Sequence, residues 1–104
     1  MAITIQSTKI NIAELILQFR RFIGQKKSIG SMDKRSKIKL TITDEQRHRT
    51  ADILELSVED AETLIGEKTL NWCLLHRGKA SPLIFDSFHK VIVSYKIDNI
   101  PSNG

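Results

Sequence analysis

The chain has 104 residues, of which 40% are hydrophobic and 27% charged, and its formal net charge is +4. That length suits a single domain with one core, and the composition excludes the low-hydrophobicity, high-charge regime that keeps chains disordered. The longest apolar stretches, such as Leu15-Ile16-Leu17 and Val91-Ile92-Val93, fall far short of the ~20 residues needed to cross a bilayer, so no membrane partner is expected.

In chain order, Met1 to Gln6 has no basic residue ahead of its apolar ones and no small-residue cleavage site after an apolar run. Secretion is not expected from such a start. Ala2 to Ile5 alternates loosely and offers a strand to pair with a later one. Asn11-Ile12-Ala13-Glu14 is a capping-box arrangement, with a side-chain acceptor at the start and a carboxylate three residues on, and it predicts a helix beginning there. Ile12, Leu15, Ile16, Phe19, Phe22 and Ile23 then recur at helical spacing. Their stripe is expected to be core, and Gly24 to stop the helix. Residues 24–36 read as a mobile basic loop. Residues 37–43 alternate polar and apolar, the mark of a strand that buries Ile38, Leu40 and Ile42.

Thr43-Asp44-Glu45-Gln46 predicts a second helix start and Ser57-Val58-Glu59-Asp60 a third. Val58, Ala61, Leu64 and Ile65 form an apolar face that Trp72 and Leu75 continue, with Gly66 dividing the helix and Gly78 ending it. Ser81-Pro82 predicts one more start. Ile84, Phe88, Val91, Ile92 and Tyr95 follow at helical spacing, although Val91-Ile92-Val93 also suits a strand. The fold class expected is therefore α+β, mainly α: one compact domain over residues 1–104, with four or five helices and one or two short β-strands.

Charge is segregated along this order. Residues 20–39 contain Arg20, Arg21, Lys26, Lys27, Lys34, Arg35, Lys37 and Lys39 against Asp33 alone, a net +7. Residues 44–67 carry a net −6. A dense basic run attracts phosphate, because neutralising several phosphates releases condensed counterions. These eight cations are thus the candidate nucleic-acid contacts, and such contacts give affinity without sequence specificity. The competing reading is a protein-interaction module, an adaptor, small subunit or inhibitor, that docks through Glu55, Glu59, Asp60 and Glu62. In that case the partner is another protein or a second copy in a homodimer.

Residues 46–65 also resemble a generic helix-turn-helix, with Leu56-Ser57 at the turn. Glu59, Asp60, Glu62 and Glu67 on its second helix would be repelled by groove phosphates. A ribbon-helix-helix dimer, in which residues 37–43 pair with the same strand of a second chain, is a further alternative. Cys73 and His76 lie three apart on one helix face, but Cys73 stands between Trp72 and Leu74 and reads as a core cysteine. The single cysteine forms no internal disulfide and favours a cytoplasmic setting. Cys73, His48, His76 and His89 lack the paired spacing of a zinc site. No metal, cofactor or catalytic residue is assigned, and the chain is read as a non-enzyme.

Overall fold

A computed structural model describes the backbone of residues 3–28 and 37–99, with side chains over 12–25 and 37–99. The first helix, α1, spans Ile3–Ser28. The capping box at Asn11 therefore lies inside the helix, and the strand expected over Ala2 to Ile5 is not formed from Ile3 onward. Gly24 does not stop the helix either, since it sits on the exposed side and its turn continues to Ser28. The basic loop expected from residue 24 has its first five residues in α1, and residues 29–36 lie outside the described residues. Leu15 and Phe19 are buried, with Ile12, Ile16 and Ile23 packed beside them. That is the stripe legible in the sequence.

The remainder is not mainly helical. Four strands, β1 (Lys37–Asp44), β2 (Arg49–Ser57), β3 (Ile84–Asp86) and β4 (Val91–Asn99), form one antiparallel sheet in the order β2-β1-β4-β3. Two short helices, α2 (Val58–Ile65) and α3 (Glu67–Leu75), connect its halves. Among the described residues, three helices and four strands replace the expected four or five helices with a strand or two. Residues 43–46 do not begin a helix, because Asp44 starts a hairpin turn. Its Oδ1 accepts from the N–H groups of Gln46 at 3.1 Å and Arg47 at 3.3 Å. His48 then takes a left-handed φ of 53° that lets β2 return along β1. The second hairpin repeats the device: Asp86 Oδ1 accepts from the His89 N–H at 2.9 Å, and Lys90 has φ 58°.

Ser81-Pro82 likewise starts no helix. The Ser81 hydroxyl accepts from the Tyr95 N–H at 3.0 Å, while the Ser81 N–H donates to Tyr95 O and the Gly78 N–H to Ile97 O. The segment before β3 thus runs along the outer side of β4, and residues 91–99 are strand throughout. Two sequence expectations about the middle of the chain hold. Ser57 caps α2, its Oγ accepting from the Asp60 N–H at 3.1 Å, and Gly66, at φ 90° and ψ 153°, divides α2 from α3.

The register places Ile38, Leu40 and Ile42 of β1, Leu54 and Leu56 of β2, and Val91, Val93, Tyr95 and Ile97 of β4 on one face of the sheet. All are buried, and they form one core with Leu15 and Phe19 of α1, Ala61 of α2, and Leu70 and Cys73 of α3. The Phe19 ring stacks on Tyr95 with centroids 6.4 Å apart. Burial of each such side chain contributes roughly 1.5–3 kcal/mol, so this one face carries most of the stabilisation. Helices cover it, and the polar alternation of β1 puts polar side chains on the opposite face.

This arrangement removes both DNA-binding motifs considered from the sequence. The first helix of the expected helix-turn-helix is strand β2. Strand β1 is bonded to β2 on one side and β4 on the other, so it has no edge to offer the same strand of a second chain.

Candidate nucleic-acid interface

The face of the sheet away from the core is the candidate interface. Alternation puts Lys37, Lys39, Thr41 and Thr43 of β1 there, with Ile53 and Glu55 of β2 and Ile92, Ser94, Lys96 and Asp98 of β4. The middle is lined by the short side chains of Thr41 and Ser94, which are buried. Thr41 lies between Ile53 and Lys96 in register, and the Ser94 hydroxyl donates to Glu45 Oε2 at 2.5 Å. Phe85 of β3, opposite Ile92, adds an aromatic ring that is 62% exposed. Among the described residues, Lys37, Lys39 and Lys96 form no ion pair. Lys39 stands across from Glu55 on one side and Asp98 on the other, so its charge is partly offset, whereas Lys37 faces Ser57.

The eight basic residues singled out in the sequence do not form one patch. Lys37 and Lys39 lie on the open face. Arg20 lies on α1, and its Nε and Nη2 donate to Asp52 Oδ2 and Oδ1 at 2.6 and 2.7 Å. The Asp52 carboxylate and its hydrogen bonds raise the Arg20 pKa. Arg21 is exposed on the same helix. Lys26 and Lys27 are in α1 with side chains outside the described residues, as are Lys34 and Arg35 altogether. Sequence reasoning missed Lys96 and Phe85. Both belong to a segment whose helical spacing concealed its strands, and period-two alternation from Ile92 to Asp98 is the signal that could have found them.

The acidic alternative is dispersed as well. Glu55 is exposed on strand β2, while Glu59 and Glu62 are exposed on α2 and Asp60 is half-buried in its first turn. They do not share a helix face, since residues 49–57 are strand. Cys73 is fully buried, and its thiol donates to Tyr95 O at 3.4 Å; burial pushes its pKa up. His76 turns the other way, exposed and stacked on Trp72 at 4.1 Å. The two are therefore not assembled as a thiolate pair. Tyr95 also has its pKa raised, by burial and by the Asp86 charge.

Among the described residues no group of three or more His, Cys, Asp or Glu side chains could hold a metal ion, and no helix is long and apolar enough to cross a membrane. Comparison with protein-family models, curated proteins and solved structures returns no match for this chain.

Proposed function

We propose that the protein is a small, non-enzymatic cytoplasmic nucleic-acid-binding domain that uses its open sheet face and the basic segment leading into it. The observation that carries this reading is the placement of exposed Lys37 and half-buried Lys39 and Lys96 on the face of the sheet away from the core, with the exposed ring of Phe85 on the neighbouring strand. Lysines without ion pairs exchange bound counterions for phosphate. An exposed aromatic ring supplies a stacking platform that every base can use, worth about 1–3 kcal/mol per base. Lys34 and Arg35 precede β1 by two or three residues and add charge at its entry. The face is a sheet and not a groove-reading helix, which favours single strands with unstacked bases over a duplex.

The test is fluorescence anisotropy of labelled single-stranded RNA, single-stranded DNA and duplex DNA, from ~50 to ~200 mM salt. Single strands are expected to bind more tightly than duplex, with an affinity that falls steeply with salt. Changing Lys37, Lys39 and Lys96 to Gln together should flatten the salt slope by about two. Phe85→Ala should weaken binding roughly fivefold or more at any salt. Absence of binding at ~50 mM salt overturns the reading. The protein-interaction alternative then takes its place, favoured by Leu75, Leu83 and Phe88, which are exposed large apolar side chains.

A further inference from the structure

On the helical side of the sheet, α1 does not close fully against the β1–β2 hairpin. A groove of about 500 Å³ remains between them, lined by Ile12, Ala13, Ile16 and Leu17 of α1 and by Arg49, Thr50 and Ala51 of β2. Arg20, paired with Asp52, bounds it toward the C-terminal half of the helix. Sites for small ligands have this character: a few hundred cubic ångströms, apolar walls, and a small number of polar groups that fix orientation.

The charges around the groove identify the kind of ligand it fits. Arg20 is neutralised by Asp52 through two hydrogen bonds. Asp44, which also touches the groove, is buried and neutralised, its Oδ2 accepting from Arg47 Nη1 at 3.0 Å and its Oδ1 from two backbone N–H groups. Arg49 is left. It is exposed at the groove's rim and forms no ion pair among the described residues. An apolar trough with one unneutralised guanidinium at its mouth complements an apolar chain that ends in an anion. The planar fork of arginine suits a carboxylate in particular, which it can hold with two parallel hydrogen bonds.

We infer that the groove between α1 and the β1–β2 hairpin binds a small amphiphilic monocarboxylate, its alkyl chain along Ile12, Ile16, Leu17 and Ala51 and its carboxylate on Arg49. This site is on the opposite face of the sheet from Lys37, Lys39 and Lys96 and stands independently of the nucleic-acid reading.

Isothermal titration calorimetry on the full chain tests it, using dodecanoate and dodecylammonium, which share a chain length and differ in the sign of the head group. Dodecanoate is expected to bind with one site per chain. Dodecylammonium should bind at least tenfold more weakly, and Arg49→Gln should weaken dodecanoate roughly tenfold, as loss of a hydrogen bond to a charged group does. Arg49 is exposed, so this variant keeps its core; Leu17→Glu, at a half-exposed wall position, should abolish binding by placing a carboxylate in the trough. Equal binding of the two amphiphiles, dodecanoate affinity unchanged in Arg49→Gln, or no dodecanoate heat below its micelle concentration each overturns the assignment. The last outcome leaves a partner helix or a second copy as the occupant.

Discussion

Asp52 shows how one side chain ties a helix to a sheet edge. Its carboxylate takes two hydrogen bonds from Arg20 of α1 and a third, at 2.9 Å, from the N–H of Ile53 on the outermost strand. A covered amide on an edge strand is one fewer donor for an unwanted partner strand. The hydrogen bonds from Arg20 hold the Asp52 carboxyl below its usual range, with the Ile53 N–H and the Arg20 charge adding to them and partial burial opposing. A carboxylate depressed in this way stabilises the fold at pH values above its unfolded pKa of about 3.9, and that contribution is lost as pH falls through the folded value. The Arg20 side chain is 59% exposed, so screening by water limits the pair to about 1 kcal/mol. Asp52→Asn should therefore lower the stability measured by urea unfolding by about that amount at pH 7. The gap from the parent protein should narrow as pH falls through the lowered folded value of the Asp52 carboxyl. A gap that stays the same from neutral pH down to full protonation of the carboxylates would mean that charge has no part in it.

The elements turn on a local ambiguity that these residues resolve in opposite ways. An Asp or Ser that accepts a hydrogen bond from a backbone N–H two or three residues later is both the start of a helix and the first residue of a tight turn. Ser57 makes that bond and α2 follows; Asp44 and Asp86 make it and hairpins follow. What decides is the next few residues. Left-handed His48 and Lys90 close the two hairpins, whereas Ala61, Leu64 and Ile65 give α2 a face to bury. Ser57→Ala should cost about 1 kcal/mol, as N-cap removals do. Gly66 is held at φ 90° and ψ 153°, a region essentially closed to other residues although a Cβ there would meet nothing within 4 Å. Gly66→Ala should thus cost about 1–3 kcal/mol from backbone strain alone. Thermal unfolding of both variants checks the pair, and a Gly66→Ala protein as stable as its parent would remove the strain argument.

At the scale of the molecule, stability should be graded across the sheet. Strand β1 has neighbours on both sides, and its inward Leu40 and Ile42 are fully buried. Strand β3 is three residues long and has a single neighbour. The Ile92 carbonyl accepts from Glu45 on the β1 side. Val91 and Val93 therefore turn their backbone groups toward Asp86 and Ile84, which leaves the Phe85 N–H facing the open edge. Native-state hydrogen exchange should find the Leu40 and Ile42 amides opening only with the global free energy, and the Phe85 amide exchanging far faster. Exchange of the β1 amides at the rate of β3 would contradict a single cooperative core. The Asp86–His89 turn beyond β3 also contains the buried His89 Nε2, which has no hydrogen-bond partner among the described residues.

What the sequence determined by itself was whatever is written in short-range pattern: the core stripe of Leu15 and Phe19, the alternation from Lys37 to Thr43, the Ser57 cap, the break at Gly66, and Cys73 as a small buried hydrophobe. What only the tertiary structure decided was the state of residues 44–57 and 81–99. There, apolar spacing suits a helix as well as a strand, and the hydrogen bonds that choose between them come from other strands: a hairpin neighbour for β2 and β3, and the distant β1 for β4. Pairing of β1 with β4 joins residues 49 to 61 positions apart, a contact that no local propensity encodes. The site followed from the same cause. Lys37 and Lys39 were legible as cations on a strand, but Lys96 and Phe85 join them, and Arg20 leaves them for Asp52, only because the sheet closes in the order β2-β1-β4-β3 with its helices on one side.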